Sequence, residues 1–262
     1  MARNEAPYIA EWLAFHLAVG FRRILVFDHG STDETAAIVA RAAERERAIS
    51  LHVVPADHGG SPQIAAYNAA LPMVSTPWVA FFDIDEFLVP WRDGSVSAYL
   101  ARVPADVSAV HVNWRSFGSS GLARPSYGLV TEAFTQCAEP DWQYQAHYKT
   151  LARTALVRSA NIHEVETSSG RRTLSDFTDV DPGTFGSADR IAYSGIQLNH
   201  YQAKTRPEFD ARMRLPRADA PDIGRLDDLD LRWMLLDRNE VEDRSAGRFV
   251  AALRERMRRI AQ

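Results

Sequence analysis

The 262 residues carry 46% hydrophobic and 24% charged side chains, an ordinary globular balance that fills one large domain or two small ones. A net charge of −4 and a pI near 6.1 argue against general nucleic-acid binding, and the single cysteine, Cys137, excludes an internal disulfide or a cysteine-rich zinc site. No stretch approaches the roughly 18 apolar residues of a membrane span and no signal peptide is visible, so a cytoplasmic location is expected.

Asn4 is placed to cap a helix with Pro7 in its first turn, and Ile9, Trp12, Leu13, His16 and Leu17 then recur at helical spacing up to Gly20. His16 lies on that apolar stripe and reads as a satisfied core histidine rather than a ligand. Arg23 to Phe27 reads as a buried strand ending in Asp28, followed by His29-Gly30-Ser31-Thr32-Asp33 and an alanine-rich helix to about Ala48, with Ser31 and Glu34 at capping-box spacing. Ile49 to Val54 is the next strand. The glycines of Asp57-His58-Gly59-Gly60-Ser61 mark a turn, with a ligand role for Asp57 or His58 as the other reading. A helix from Gln63 to about Leu71 stops at Pro72.

Trp78-Val79-Ala80-Phe81-Phe82 runs apolar without a break and then meets Asp83-Ile84-Asp85-Glu86, which predicts a strand buried on both faces with carboxylates past its end. Two apart, Asp83 and Asp85 would point to one side of extended chain, at the sheet rim where open α/β sheets bind ligands. Paired hard oxygen ligands suit Mg²⁺ or Mn²⁺ with a substrate phosphate; the plainer alternative is an acidic loop. Strand and helix alternate up to residue 90, so a mostly parallel central sheet is expected. No G-x-G-x-x-G or P-loop follows these strands, which argues against a dinucleotide dehydrogenase or an NTPase.

Further on, Ser95 to Val103 predicts a short helix, Ala109 to Trp114 a strand, 129–137 a helix, and Tyr148 to Val157 a strand with Lys149 near its start. Thr167 to Arg190 is polar and turn-rich, a lid or a disordered segment. Ile196 to Tyr201 returns as a strand, and from Arg206 the chain reads as C-terminal helices. In the last, Phe249, Val250, Leu253, Met257 and Ile260 share one side and arginines crowd the rest. It either docks on its own domain or makes peripheral contact with anionic lipid. One domain over 1–210 and a helical extension over 211–262 packed on it are expected.

Several of these pieces, in order, resemble the family-2-like glycosyltransferases, in particular the branch grouped with glycosyltransferase family 92. They are Asn4-Glu5-Ala6-Pro7-Tyr8 with Glu11-Trp12, Asp28 to Asp33, Trp78 to Leu88, Phe117 to Gly121, Lys149-Thr150, His163, and Asn199-His200-Tyr201 with Lys204 to Phe209. The resemblance implies a GT-A type nucleotide-sugar-binding fold. It also implies transfer, with inversion and a divalent Mn²⁺ or Mg²⁺, from a nucleoside diphosphate sugar, UDP-linked, to a glycan, lipid-linked or other hydroxyl acceptor. Carried onto this chain, Asp28 resembles the reader of the nucleotide base, with Asn4, Glu5, Gln63 and Lys149 as further donor-binding residues. Asp83 and Asp85 match the metal and diphosphate motif, and His200 resembles a late third metal ligand, with His163 as the competing choice. Glu164 or His163 is the candidate base that takes the acceptor proton, with Glu86 as the other candidate. Trp114 and Trp142 either stack on acceptor sugars or fill the core.

Relatives carry a full buried strand before the Asn-Glu pair, where only Met1-Ala2-Arg3 stand here. Either that strand lies upstream of this start or this form lacks it, and weak nucleotide binding or instability is expected of these residues alone. Two rival readings remain: a haloacid-dehalogenase-type phosphatase and a non-catalytic nucleotide or glycan binder. The first fits poorly, because its motif lies early in the fold and Phe87 stands where Thr or Val is usual.

Overall fold

The computed structural model describes residues 1–56, 59–181, 186–215 and 228–261, so the Asp57-His58 turn lies outside the described residues. Helix α1 (Ile9–Ala18) leads into β1 (Ile24–Asp28), α2 (Thr35–Arg45), β2 (Ile49–Val53), α3 (Pro62–Ala70), β3 (Trp78–Ala80) and β4 (Glu86–Val89). Then come α4 (Val96–Leu100), β5 (Val107–Ser116), α5 (Val130–Ala133), β6 (Gln136–Cys137), β7 (Tyr148–Arg153), β8 (Val157–Ala160), β9 (Val165–Thr167), β10 (Arg171–Leu174) and β11 (Gln197–His200). The chain finishes with α6 (Arg206–Met213), α7 (Leu229–Leu236), β12 (Val241–Glu242) and α8 (Val250–Ala261).

The main sheet has the order β3-β7-β5-β11-β4, with β10 added on β5. It is mixed, not mostly parallel: β5 pairs parallel with β10 and β11, whereas β3–β7, β5–β7 and β4–β11 are antiparallel. Only the β1–β2 pair, a separate two-stranded sheet, carries the parallel register that the early alternation implied. The difference has a physical cause. A strand buried on both faces reads as the same apolar run whichever way its neighbours point. All ten residues of β5 are buried, and Asn113 among its polar ones is satisfied inside. Asn113 donates to the Ala146 carbonyl at 3.0 Å and accepts from the Ala192 N–H at 3.0 Å.

Other expectations shift with it. The apolar run at Trp78 stays a strand only to Ala80, and Asp83 to Asp85 form a turn before β4 reverses onto β11. The supposed lid from Thr167 to Arg190 contains β10, a member of the main sheet. The helix expected at 129–137 is one turn, α5, followed by β6. Asn4 caps no helix: its φ is +56°, and its side-chain oxygen accepts from the Thr32 N–H at 2.8 Å, fastening the loop after β1. Ser31 makes no capping box, since its hydroxyl accepts from the Asn4 N–H at 3.0 Å.

Helix α1 is the hub of the core. Ile9, Leu13, Ala14 and Phe15 are fully buried, and Phe15 meets Phe87 and Phe249 edge-on at 5.2 and 5.8 Å. Phe249, Leu253 and Ile260 of the C-terminal segment are buried, so its apolar stripe docks on its own domain. Arg254 and Arg256 on its other face pair with Glu132 and Glu46. His16 is a satisfied core histidine. Its Nδ1 donates to the Trp12 carbonyl at 2.9 Å and its Nε2 accepts from the Leu88 N–H at 3.4 Å. Burial lowers its pKa to about 4, and that of His111 to about 3. Both stay neutral in the fold but take a proton near 6.5 when unfolded, so the unfolded state binds more protons below that pH. Stability is therefore expected to be fully present above pH 6.5 and to fall as the pH drops toward 4, a slope that chemical denaturation across that range measures.

Candidate active site

The acidic turn is held from below by α1. The Trp12 indole N–H is shared by the carbonyls of Asp83 at 3.0 Å and Glu86 at 2.9 Å, and the neighbouring Glu11 carboxylate accepts from the Val130 and Thr131 N–H groups at 2.7 and 2.9 Å. The Glu11-Trp12 pair thus ties α5 and the turn to one helix. Within the turn the two aspartates part company. Asp83 is met by Lys149 at 3.1 Å on one oxygen and by the Gln63 amide at 2.6 Å on the other. Asp85 faces His200, whose Nε2 lies 3.5 Å from Oδ2, and the Arg212 guanidinium reaches the same oxygen from α6. The same-side arrangement expected of extended chain fails because Ile84 and Asp85 form a turn, not strand.

Electrostatics follow from these partners. Burial alone would raise both carboxyls. Lys149 nevertheless holds Asp83 below the usual range, and Arg212 with His200 holds Asp85 well below it. Burial keeps the His200 pKa below its ordinary value despite Asp85, so its imidazole is neutral and its lone pair available. Glu86 is fully buried, accepting from the Trp114 indole at 2.7 Å and from the Asp83 N–H at 2.8 Å, and burial lifts its pKa to about 8. It orders the turn and has no path to an acceptor. Glu164 is tied to Arg172 at 3.0 Å. His163 donates from Nδ1 to the Tyr148 carbonyl at 3.1 Å, because a carbonyl can only accept; in the neutral ring this leaves Nε2 as an acceptor. Burial lowers its pKa to about 4, so it is neutral near pH 7.

The Trp114 ring gathers the histidines. It packs against His200 at 4.1 Å, His163 at 5.7 Å and His147 at 5.1 Å, and the aromatic row continues through Tyr144 to Trp142. At the end of β1, Asp28 accepts from the Ser31 N–H at 3.1 Å through Oδ2, while its buried Oδ1 has no hydrogen-bond partner. Asn4 and Glu5 follow the Ala2 bridge to Asp28. Burial pushes the Glu5 pKa up to about 7, against the pull of Lys204 and Arg212.

Two residues here escaped the sequence reading of the site. Lys204 is buried, sits at φ +50°, and holds its ammonium 4.4 Å from the Tyr8 ring centre. A non-glycine residue in that region is an uncommon and strained placement. Arg212 is aimed by the cap of α6, where the Thr205 N–H and hydroxyl both bond Glu208, at 3.1 and 2.5 Å. Lys204 carried a signal, being one of only two lysines, whereas Arg212 is one arginine among many.

Among the described residues no three His, Cys, Asp or Glu side chains form a metal cluster. A smaller cradle does fit a divalent cation: the carboxylate of Asp85 and the neutral imidazole of His200. Asp85 Oδ2 is shared by the Arg212 guanidinium and faces His200 Nε2 at 3.5 Å, and the buried His200 Nδ1 has no hydrogen-bond partner. Asp83, held by Lys149 and Gln63, is turned elsewhere.

An acidic turn at a sheet rim, faced by a histidine and buried cations, is the kind of site that handles a charged ligand. The chain belongs to glycosyltransferase family 92, whose family model matches residues 1–224. Among curated relatives, it is similar to a family 92 protein of Arabidopsis thaliana, 26% identical over 178 residues, 63% of this chain and 30% of that one. It is also similar to one of Ricinus communis, 30% identical over 141 residues, 52% of this chain and 25% of that one. The chain therefore spans between a quarter and a third of these relatives' length. Among solved structures, it resembles S. aureus TarS in complex with UDP, 21% identical with a TM-score of 0.37, over 59% of this chain and 45% of that one. It also resembles the mannosyltransferase PcManGT from Pyrobaculum calidifontis in complex with GDP-Man and Mn²⁺, 16% identical with a TM-score of 0.42, over 99% and 71%. Overlaps this loose transfer no residue role. Family membership sets the phosphatase reading aside.

Proposed function

We propose that this chain is an inverting, metal-assisted glycosyltransferase of GT-A type. It takes a sugar from a nucleoside diphosphate sugar, UDP-linked, and passes it to a hydroxyl of a glycan or lipid-linked acceptor. The reading is carried by the Asp85–His200 pair, a buried carboxylate and a neutral imidazole 3.5 Å apart, with the Arg212 guanidinium on the same carboxylate oxygen and Lys204 beside it. A divalent cation there would act as a Lewis acid and offset the charge of the leaving diphosphate. Arg212 and Lys204 would take the remaining phosphate charge, and Lys149 fixes Asp83 behind them. The Asp28 oxygen without a hydrogen-bond partner would accept an N–H from the base. Of the three candidate bases, His163 offers a neutral ring acceptor that no arginine holds: Tyr148 orients its ring, and Nε2 would receive the acceptor proton. Trp114 and the row to Trp142 would carry the acceptor sugar.

The test is a panel of nucleotide sugars, assayed for hydrolysis and transfer with and without Mn²⁺. Release of nucleoside diphosphate from at least one donor is expected, and its loss with a chelator. Nucleotide binding without turnover on every donor would leave only the binder reading. His163→Gln is expected to lower kcat by about 10²–10⁴-fold with little change in the donor KM, which steady-state kinetics separates. Glu5 gives a pH dependence. Protonated below about 7, it adds no charge beside an incoming diphosphate; ionised above 7, it repels one. UDP affinity should therefore fall as the pH rises through about 7, and Glu5→Gln should flatten that fall in calorimetric titrations.

A further inference from the structure

The Asp85 oxygen that faces His200 has two claimants. A cation held between this carboxylate and the imidazole needs Oδ2, and the Arg212 guanidinium already lies on that atom. Only 7% of the Asp85 side chain is exposed, and two positive groups on one oxygen repel strongly where water is scarce. Arg212 is mounted so that it can leave. Helix α6 is anchored at its start, where Glu208 closes the cap with Thr205 and accepts the Tyr8 and Tyr127 hydroxyls at 2.6 and 2.5 Å. Arg212 stands one turn beyond Glu208, near the helix end, with 35% of its side chain exposed. Besides Asp85 it makes a long hydrogen bond, 3.5 Å, to the Gln202 carbonyl. A change of rotamer therefore moves the guanidinium while the helix stays fixed. The surrounding charges set where it goes. Lys204 is buried nearby with its ammonium over the Tyr8 ring, and the two cations repel each other. A divalent cation would add a third positive group. A diphosphate relieves that crowding, since its oxygens can take a guanidinium, an ammonium and a metal at once.

Granted the metal and donor reading above, we propose that Arg212 is an exchange residue that couples the two ligands. It covers the Asp85 oxygen until a diphosphate draws it off, and the cation then takes its place beside His200. Affinity for the cation alone is lowered by the fraction of molecules in which Arg212 sits on Asp85, a reduction that the diphosphate lifts. By linkage the cation, once in place, leaves the guanidinium to the diphosphate, so each ligand favours the other.

The experiment titrates Mn²⁺ into wild type and Arg212→Gln, followed by electron paramagnetic resonance, without UDP and with UDP at saturation. Without UDP the variant should bind Mn²⁺ about three- to tenfold more tightly, as expected when a partly exposed ion pair no longer holds the oxygen. At saturating UDP the two proteins should agree within about twofold, because the guanidinium has already moved. A variant no tighter than wild type without UDP would overturn the inference. So would a gain of equal size with UDP, since loss of a nearby charge, without any exchange, tightens both states alike. In both of those cases Mn²⁺ still binds and the metal site stands. Mn²⁺ bound by neither protein with UDP present would remove the metal site itself, and the exchange with it. Arg212→Met supplies the same comparison should Arg212→Gln melt early.

Discussion

Replacing Asp85 by asparagine is expected to cut sugar transfer by on the order of 10²–10³-fold or more, with the fold retained. The carboxylate meets His200 and Arg212 together, and it is ionised far below neutral pH because those partners outweigh its burial. An amide keeps the shape but loses the charge that would hold a cation and order Arg212. Asp83→Asn should cost less, since Gln63 and Lys149 already engage one oxygen each of that side chain. Turnover of both variants on the donor that the wild type prefers measures the difference. Equal losses would mean the aspartates act as one unit, contrary to their separate partners.

Lys149→Met is expected to have the largest effect on stability. The ammonium is fully buried, 3.1 Å from Asp83, 3.8 Å from Glu86 and 2.8 Å from the Ile162 carbonyl. Removing one partner of a buried ion pair leaves the others uncompensated, at about 3–5 kcal/mol. Here the lower end applies, because Asp83 keeps 34% of its side chain in solvent and Glu86, with its pKa near 8, is already largely protonated at neutral pH. For a chain of this size that corresponds to a fall in Tm of roughly 6–12 °C. Lys149→Met with Asp83→Asn should recover much of the loss; a double variant as unstable as the single one would place the cost in packing instead.

Part of this candidate site was marked in the sequence. The carboxylates after the apolar run were marked by residue type and place, and Asp28, Lys149 and His200 by the family resemblance. The geometry among them was not. Periodicity reports burial but not strand direction, so β4 turning back onto β11 was invisible, and with it the separation of Asp83 from Asp85. Glu164 looked free in sequence because its partner, Arg172, sits on β10, within a stretch too polar to read as strand. Arg212 lies 127 positions from Asp85 (212 less 85), and a helix arginine gives no sign of where its guanidinium will go. Lys204 was visible as a rare lysine at the head of a family motif, with no role attached; its left-handed backbone comes from the tertiary fold.

The central claim is that Asp85 and His200 hold a divalent cation against the diphosphate. Mn²⁺ titration followed by electron paramagnetic resonance, with and without UDP, tests it without recourse to turnover. The wild type should bind one Mn²⁺, more tightly when UDP is present. Asp85→Asn and His200→Gln should each weaken that binding by at least about tenfold while leaving the melting curve close to wild type. Mn²⁺ bound equally well by wild type and both variants, or bound by none in the presence of UDP, would contradict the account.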